Sequence, residues 1–197
     1  MLKLVPHPDQ SKFASRLASM GRTMDVTLDS DLFRFINPAY SRPADVLNGH
    51  GALFASGRWN TAGSLPLSYT ALSPETALAE ALAHVRYYNL PTSKALPRVL
   101  VSLHINATKV IDLRDGNVRK HLVLSEDTIR HLDWRAVNRN RETAITQAWG
   151  NCFASAGYEA VIVPSAADHH GANVLVFPMN HSRFQTFTIK DEIQWPK

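Results

Sequence analysis

Apolar and polar positions alternate along this chain with two periods, and each change of period marks an element. Phe13, Leu17 and Met20 fall on one helical face and predict a short N-terminal helix over Lys12 to Met20. Leu32 to Ile36 alternates loosely, as a strand carrying Arg34. Residues 37–57 are punctuated by prolines and glycines and predict a long loop around short elements. Leu67 to Thr70 is a short strand. Ser73-Pro74-Glu75 then opens a helix: serine is a good N-cap, proline suits the first helical position, and glutamate complements the helix dipole. The alanine- and leucine-rich segment from Thr76 to Val85 continues it.

Further on, Val99, Val101, Leu103 and Ile105 share one face of a strand over Arg98 to Ile105, and Val110 to Leu113 predicts another. Ser125-Glu126-Asp127 caps a short helix reaching about His131. Arg141 to Ala156 predicts a helix with Ile145, Ala148, Trp149, Cys152 and Phe153 as its apolar stripe, and Gly157 is placed to end it. Ala160 to Val163 and Val174 to Phe177 are apolar strands, and Phe184 to Ile189 alternates weakly. No linker or repeat divides the chain. The expected fold class is α+β in a single domain, with residues 1–27 as an N-terminal extension and 28–197 as the main body.

Composition narrows the function classes. The 197 residues are 45% hydrophobic and 19% charged, which fits a globular chain with a real core. No run approaches 18 apolar residues, so a membrane span is not expected. The net charge of +4 is mild. It suits an anionic small molecule as well as a nucleic acid, and the basic stretch Arg130 to Arg141 is interrupted by Asp133 and apolar residues. The single cysteine, Cys152, cannot form an internal disulfide, and the N-terminus shows no apolar signal core. Both favour a reducing, cytoplasmic setting.

Three segments can carry chemistry. In SGRWNTAG, residues 56–63, glycines bracket Arg58 and Trp59; this is either a turn with a core tryptophan or a loop offering a guanidinium fork to an anion. Glu80 lies on the alanine-rich helix, four residues before His84 and on the same face. Ser165 follows the strand ending at Val163, where small polar residues often point into a site. GxSxG, P-loop and GxGxxG patterns are absent. Asp168, His169 and His170 lack metal-ligand spacing and read as a solvated loop, so no metal is expected.

Taken together, Leu32-Phe33-Arg34-Phe35, GRWNTAG at 57–63, LSYTALSPETALAEALAH at 67–84, TQAWG at 146–150, GYEAVIVPSA at 157–166 and NVLVFP at 173–178 resemble the RES-domain family. That family supplies the toxin half of Xre–RES toxin–antitoxin modules. The resemblance spans roughly residues 30–180. It implies a split, mixed β-core flanked by helices, similar to ADP-ribosyltransferases of the diphtheria-toxin type, with NAD as substrate and no metal. Carried over, the family's arginines fall on Arg34 and Arg58, its tyrosine on Tyr69, its glutamate on Glu80 and its serine on Ser165. Two segments depart from the shortest members: about 30 residues before Arg34, and the polar, proline-containing residues 86–97.

The resemblance implies an enzyme that cleaves the nicotinamide–ribose bond of NAD. Nicotinamide leaves neutral, so no general acid is required, and a carboxylate can stabilise the oxocarbenium-like charge left on the ribose. Glu80 is assigned that catalytic role. Arg34 and Arg58 are expected to clamp the pyrophosphate, Tyr69 to stack on or orient nicotinamide, and Ser165 to bond ribose or the nicotinamide amide. The expected product is ADP-ribose on a protein acceptor, as in a branch that modifies phosphoribosyl pyrophosphate synthetase. Water or phosphate as acceptor is the alternative, making the protein an NAD glycohydrolase or phosphorylase. A basic nucleic-acid-binding module without activity is the reading from another class. The expected partner is an Xre-like antitoxin that blocks the cleft, which leaves this chain with no direct DNA contact.

Overall fold

The computed structural model describes residues 4–96, 98–181 and 186–195. The elements up to the middle of the chain are α1 (Gln10–Met20), β1 (Val26–Ile36), α2 (Pro43–Leu47), α3 (Gly51–Phe54), β2 (Ser68–Ala71), α4 (Pro74–Tyr87) and β3 (Arg98–Asp112). There follow α5 (Gly116–Leu122), α6 (Glu126–His131), α7 (Trp134–Arg139), α8 (Ile145–Ser155), β4 (Ala160–Pro164), β5 (Ala172–Val176) and β6 (Thr186–Trp195). The weakly alternating segment is thus β6 from Thr186 onward, and its first two positions lie outside the described residues.

The long strand β3 organises the sheet. One edge pairs antiparallel with β1, from Ile36↔Val99 to Val26↔Val110. Its other edge pairs antiparallel with β6 as far as Asn106, then parallel with β4 from Val110. β4 and β2 both pair antiparallel with β5. A single pair, Phe33↔Ala71, joins β2 back to β1 and closes the ring. The core is therefore one mixed, closed sheet with helices around it, rather than a split one, because β3 is long enough to serve two partners along one edge.

Two predicted strands are one strand for the same reason. Thr108 and Lys109 lie in the gap where β6 has ended and β4 has not begun. The Glu159 carboxylate fills it, accepting from Thr108 N at 2.7 Å and Lys109 N at 2.9 Å. Burial alternates through Ala107 and then slips by one residue, leaving Val110 and Ile111 both buried.

The sheet has a core on each face. Leu32, Val101, Leu103, Ile162 and Val174 pack together on the inner face. Val161, Val163 and Leu175 point the other way, against Phe13 and Leu17 of α1 and Trp149 and Phe153 of α8. The Phe13 and Trp149 rings stack with centroids 4.7 Å apart. Helix α8 begins later than its pattern suggests. Arg141 has φ +64°, and Val5 forms a bridge to Glu142, which holds residues 141–144 out of the helix. Gln147 Oε1 accepts from Ala144 N at the helix start. The helices α5 and α7 carry too few apolar positions to show a period.

Three substitutions test this packing. A Cβ on Gly150 would stand 1.9 Å from the Trp59 carbonyl oxygen, so Gly150→Ala must push α8 off the Trp59 loop and is expected to cost about 3 kcal/mol in denaturant unfolding. Gly116→Ala would bring a Cβ only to an ordinary 3.9 Å contact with Arg119 Nη2 and should stay within about 1 kcal/mol of wild type. Glu159→Ala leaves two β3 N–H groups without their acceptor and is expected to cost about 2–4 kcal/mol by the same measurement.

Candidate active site

Only one residue pair joins β1 to β2, so the two strands diverge there, and a cleft of about 520 Å³ opens between them and α4. Phe33, Arg34, Tyr69, Glu80 and Asn173 line it, with Arg58 from the loop that follows α3. Four of the five residues expected from the sequence therefore meet in one cavity. The fifth, Ser165, sits directly behind it.

Glu80 reaches the cleft because the Ser73 hydroxyl caps α4, accepting from Thr76 N at 3.1 Å. The loop carrying Ser165 is tied to the same helix end, where Thr76 Oγ1 donates to Asp168 at 2.7 Å. Ser165 is 1% exposed, and its hydroxyl donates to Glu80 Oε1 at 2.6 Å while accepting from Ala167 N and Asp168 N. Asn173 Nδ2 donates to the same Oε1 at 2.6 Å. Glu80 Oε2 accepts no hydrogen bond among the described residues and is not a buried atom. One oxygen is fixed by the protein and the other carries no hydrogen bond among the described residues. The expected contact of Ser165 with ribose or amide thus meets a geometry in which its proton already belongs to Glu80. His84 also lines the cleft, with its ring 5.0 Å from that of Tyr88.

The Arg58 loop is pinned by buried amides. Tyr69 donates its hydroxyl to Asn60 Oδ1 at 2.8 Å and accepts from Trp59 N at 3.0 Å. Asn60 Nδ2 donates to the carbonyls of Ala52 and Ala55, and Gln147 Nε2 donates to those of Gly57 and Asn60. Burial pushes the Tyr69 phenol well above its ordinary value, so it stays protonated and keeps donating. Gly57 has no room for a side chain, since a Cβ there would meet the Tyr69 hydroxyl at 2.5 Å. Trp59 is 2% exposed and belongs to the core, so it is not a stacking platform for a ligand.

Both expected arginines are held by neutral oxygens. Arg34 Nη1 donates to Ser68 Oγ at 3.1 Å and to the Val46 carbonyl at 3.3 Å. Arg58 Nη1 donates to the Leu132 carbonyl at 2.9 Å. Burial lowers the pKa of each guanidinium from its usual value; at Arg58 the nearby Glu80 charge opposes that shift and Arg135 adds to it. Neither forms an ion pair among the described residues. Arg130, from the interrupted basic stretch, instead pairs with Glu126 and donates to the Ser165 carbonyl, bracing the loop from behind.

Asn60, Gln147 and Asn173 are the residues that reading the sequence did not assign. All three lie inside stretches that carry the family resemblance, and that was the one available signal. His169 and His170 are exposed, and no group of three metal-ligating side chains occurs among the described residues. A larger cavity, about 1130 Å³, lies between α1 and α8 beside Cys152, but it contains none of the expected site residues. Burial raises the Cys152 thiol pKa, which makes a nucleophilic role unfavourable. No described helix is long and apolar enough to cross a membrane.

No curated protein matches the chain. A chain in the crystal structure of the M. tuberculosis MbcT–MbcA toxin–antitoxin complex is similar over 92% of this chain and 91% of that one, with a TM-score of 0.73 and 21% identity, which shows a shared fold. The RES-domain family model matches residues 31–196, a span that includes Arg34, Arg58, Tyr69, Glu80 and Ser165, and the chain belongs to the RES-domain family.

Proposed function

We propose that this protein cleaves the nicotinamide–ribose bond of NAD as the toxin of a toxin–antitoxin module, in the manner of ADP-ribosyltransferases of the diphtheria-toxin type. The observation that carries the reading is Glu80. It is a carboxylate fixed through Oε1 by Ser165 and Asn173, with Oε2 open to a cleft whose other charges are arginines. That arrangement suits a substrate with a diphosphate at one end and a ribose that gains positive charge at the other. In this reading Tyr69 presents its ring to nicotinamide, Arg34 and Arg58 face the pyrophosphate, and Ser165 acts through Glu80. The catalytic body is residues 28–197, with 1–27 an extension whose helix covers the outer core.

The acceptor we propose is a protein side chain, with phosphoribosyl pyrophosphate synthetase as the candidate from the family resemblance. Phe54 supports a macromolecule at the cleft: it is 82% exposed, while its neighbours Ala52 and Ala55 line the cavity. The same feature supports an Xre-like antitoxin seated over the cleft. A second reading, with water or phosphate as acceptor, is favoured by the cationic lining, which would draw in an inorganic anion.

The deciding experiment incubates the protein with labelled NAD, with and without phosphate, and with cell lysate. Label on a protein band supports transfer, free ADP-ribose supports hydrolysis, and ADP-ribose-1″-phosphate supports phosphorolysis. Intact NAD in every arm overturns the proposal. Glu80→Gln is expected to slow nicotinamide release by about 10²–10⁴, the effect of losing a principal electrostatic group; a rate equal to wild type rejects the assignment. Ser165→Ala and Asn173→Ala each remove one bond to Glu80 and should lower kcat by roughly ten-fold or more with KM little changed. A rise in KM alone would make them binding residues instead.

A further inference from the structure

Among the described residues, Arg135 is the one cleft-lining arginine that neither the sequence pattern nor the family resemblance selects. It stands on α7, and its guanidinium carbon lies 4.3 Å from the Trp134 ring centroid and 4.6 Å from that of Tyr87. The Tyr87 ring is itself anchored: its hydroxyl donates to Asp133 at 3.0 Å and accepts from Arg139 at 3.1 Å. Stacking engages the faces of a guanidinium and leaves its N–H groups directed outward in the plane. Among the described residues, the Arg135 guanidinium makes no hydrogen bond and no ion pair, and only the backbone N–H of this residue bonds Asp133, so the side-chain donors are unspent. Its nearest charged neighbours raise the stakes. Arg135 acts on Arg58 as a like charge, Glu80 is the carboxylate lining the cleft, and Asp133 is engaged by Tyr87 and Arg139.

A protein orders a long cationic side chain against two rings at a cost in rotamer entropy. Two guanidiniums converging on one cavity add repulsion, which an anion between them would relieve. We propose that Arg135 is an anion-binding residue of the cleft, presenting its in-plane N–H fork to a phosphoryl oxygen. Under the NAD proposal, on which this assignment of the phosphoryl group rests, the oxygen belongs either to the dinucleotide's pyrophosphate or to an inorganic phosphate acting as acceptor. Both are phosphoryl anions of matching geometry for a planar fork.

Calorimetric titration of the full chain separates the cases, with NAD, inorganic pyrophosphate, inorganic phosphate and nicotinamide riboside as probes. Arg135→Gln is expected to weaken pyrophosphate binding about ten- to a hundred-fold, the worth of one charge-assisted hydrogen bond, and to leave nicotinamide riboside binding unchanged. If the substrate supplies the phosphoryl group, NAD affinity falls by the same factor. If the acceptor supplies it, NAD affinity holds and the phosphate concentration needed for half-maximal nicotinamide release rises about ten-fold. Tyr87→Leu keeps the charge but removes a stacking ring and should weaken pyrophosphate several-fold, which gives a second reading should Arg135→Gln fold poorly. Wild-type affinities in both variants for all three phosphoryl probes overturn the proposal, as does a wild-type protein that binds none of them. A wild type that binds pyrophosphate but not NAD, with the pyrophosphate lost in Arg135→Gln, rejects the NAD reading and leaves the anion site standing.

Discussion

The single pair Phe33↔Ala71 is the constraint from which the site follows. Everywhere else the ring is laddered over several residues, and β3 is bonded along both edges. Each strand of the ring is paired on both sides, so the interrupted β1–β2 ladder is where the wall of the sheet opens, while β6 hangs from β3 outside the ring. At the β1–β2 seam the strands meet once and part, and the backbone that parts is the backbone carrying Arg34 and Tyr69. Arg34 braces the opening, since it belongs to β1 and donates across to Ser68 on β2. The cleft is thus a feature of sheet closure: the parting strands bring Arg34 and Tyr69 to it, and α4, α7, β5 and the Arg58 loop supply the rest of its polar lining.

Rigidity at this seam comes from amides rather than from ion pairs. Asn60 and Gln147 are 0% exposed, and their side chains satisfy carbonyls of the α3 segment and of the Arg58 loop. A buried amide is costly without partners and strongly orienting with them. Gly150 then lets α8 approach the backbone of Trp59. The loop is clamped between α8 on one side and Tyr69 on the other, so Arg58 is presented from a fixed base although it sits on a loop.

Local chemistry was legible in the sequence wherever it is decided locally. The Ser73 cap, the α1 face of Phe13, Leu17 and Met20, and the buried alternation from Val99 to Ile105 are all set by neighbours a few residues apart. What escaped depends on residues distant in the chain. β3 runs on through Thr108 because Glu159 supplies the missing acceptor. Residues 141–144 stay out of α8 because Val5 bridges to Glu142. In the site, the glutamate and the arginines could be found through the resemblance, and Trp59 went to the core, as its turn reading allowed. Ser165 was named through the same resemblance, but its contact with Glu80 was not. Asn173 carries no local mark at all, because an amide on an apolar strand acquires its purpose only when Glu80 arrives from another element.

The way these charges are held explains why they stay available. A carboxylate and three guanidiniums in one cleft could neutralise one another by direct pairing, and the cavity would then have little to offer a charged ligand. Each is instead stabilised by something neutral. A hydroxyl and an amide hold Glu80, carbonyls hold Arg58 and Arg34, and aromatic rings hold Arg135. Neutral partners fix position without cancelling charge, at the cost of leaving cations half-buried and unpaired, which is why burial lowers the pKa of Arg34 and Arg58. Under the proposed function that cost is offset when an anion enters, and the arrangement favours a ligand that brings negative charge to the arginines and develops positive charge beside Glu80.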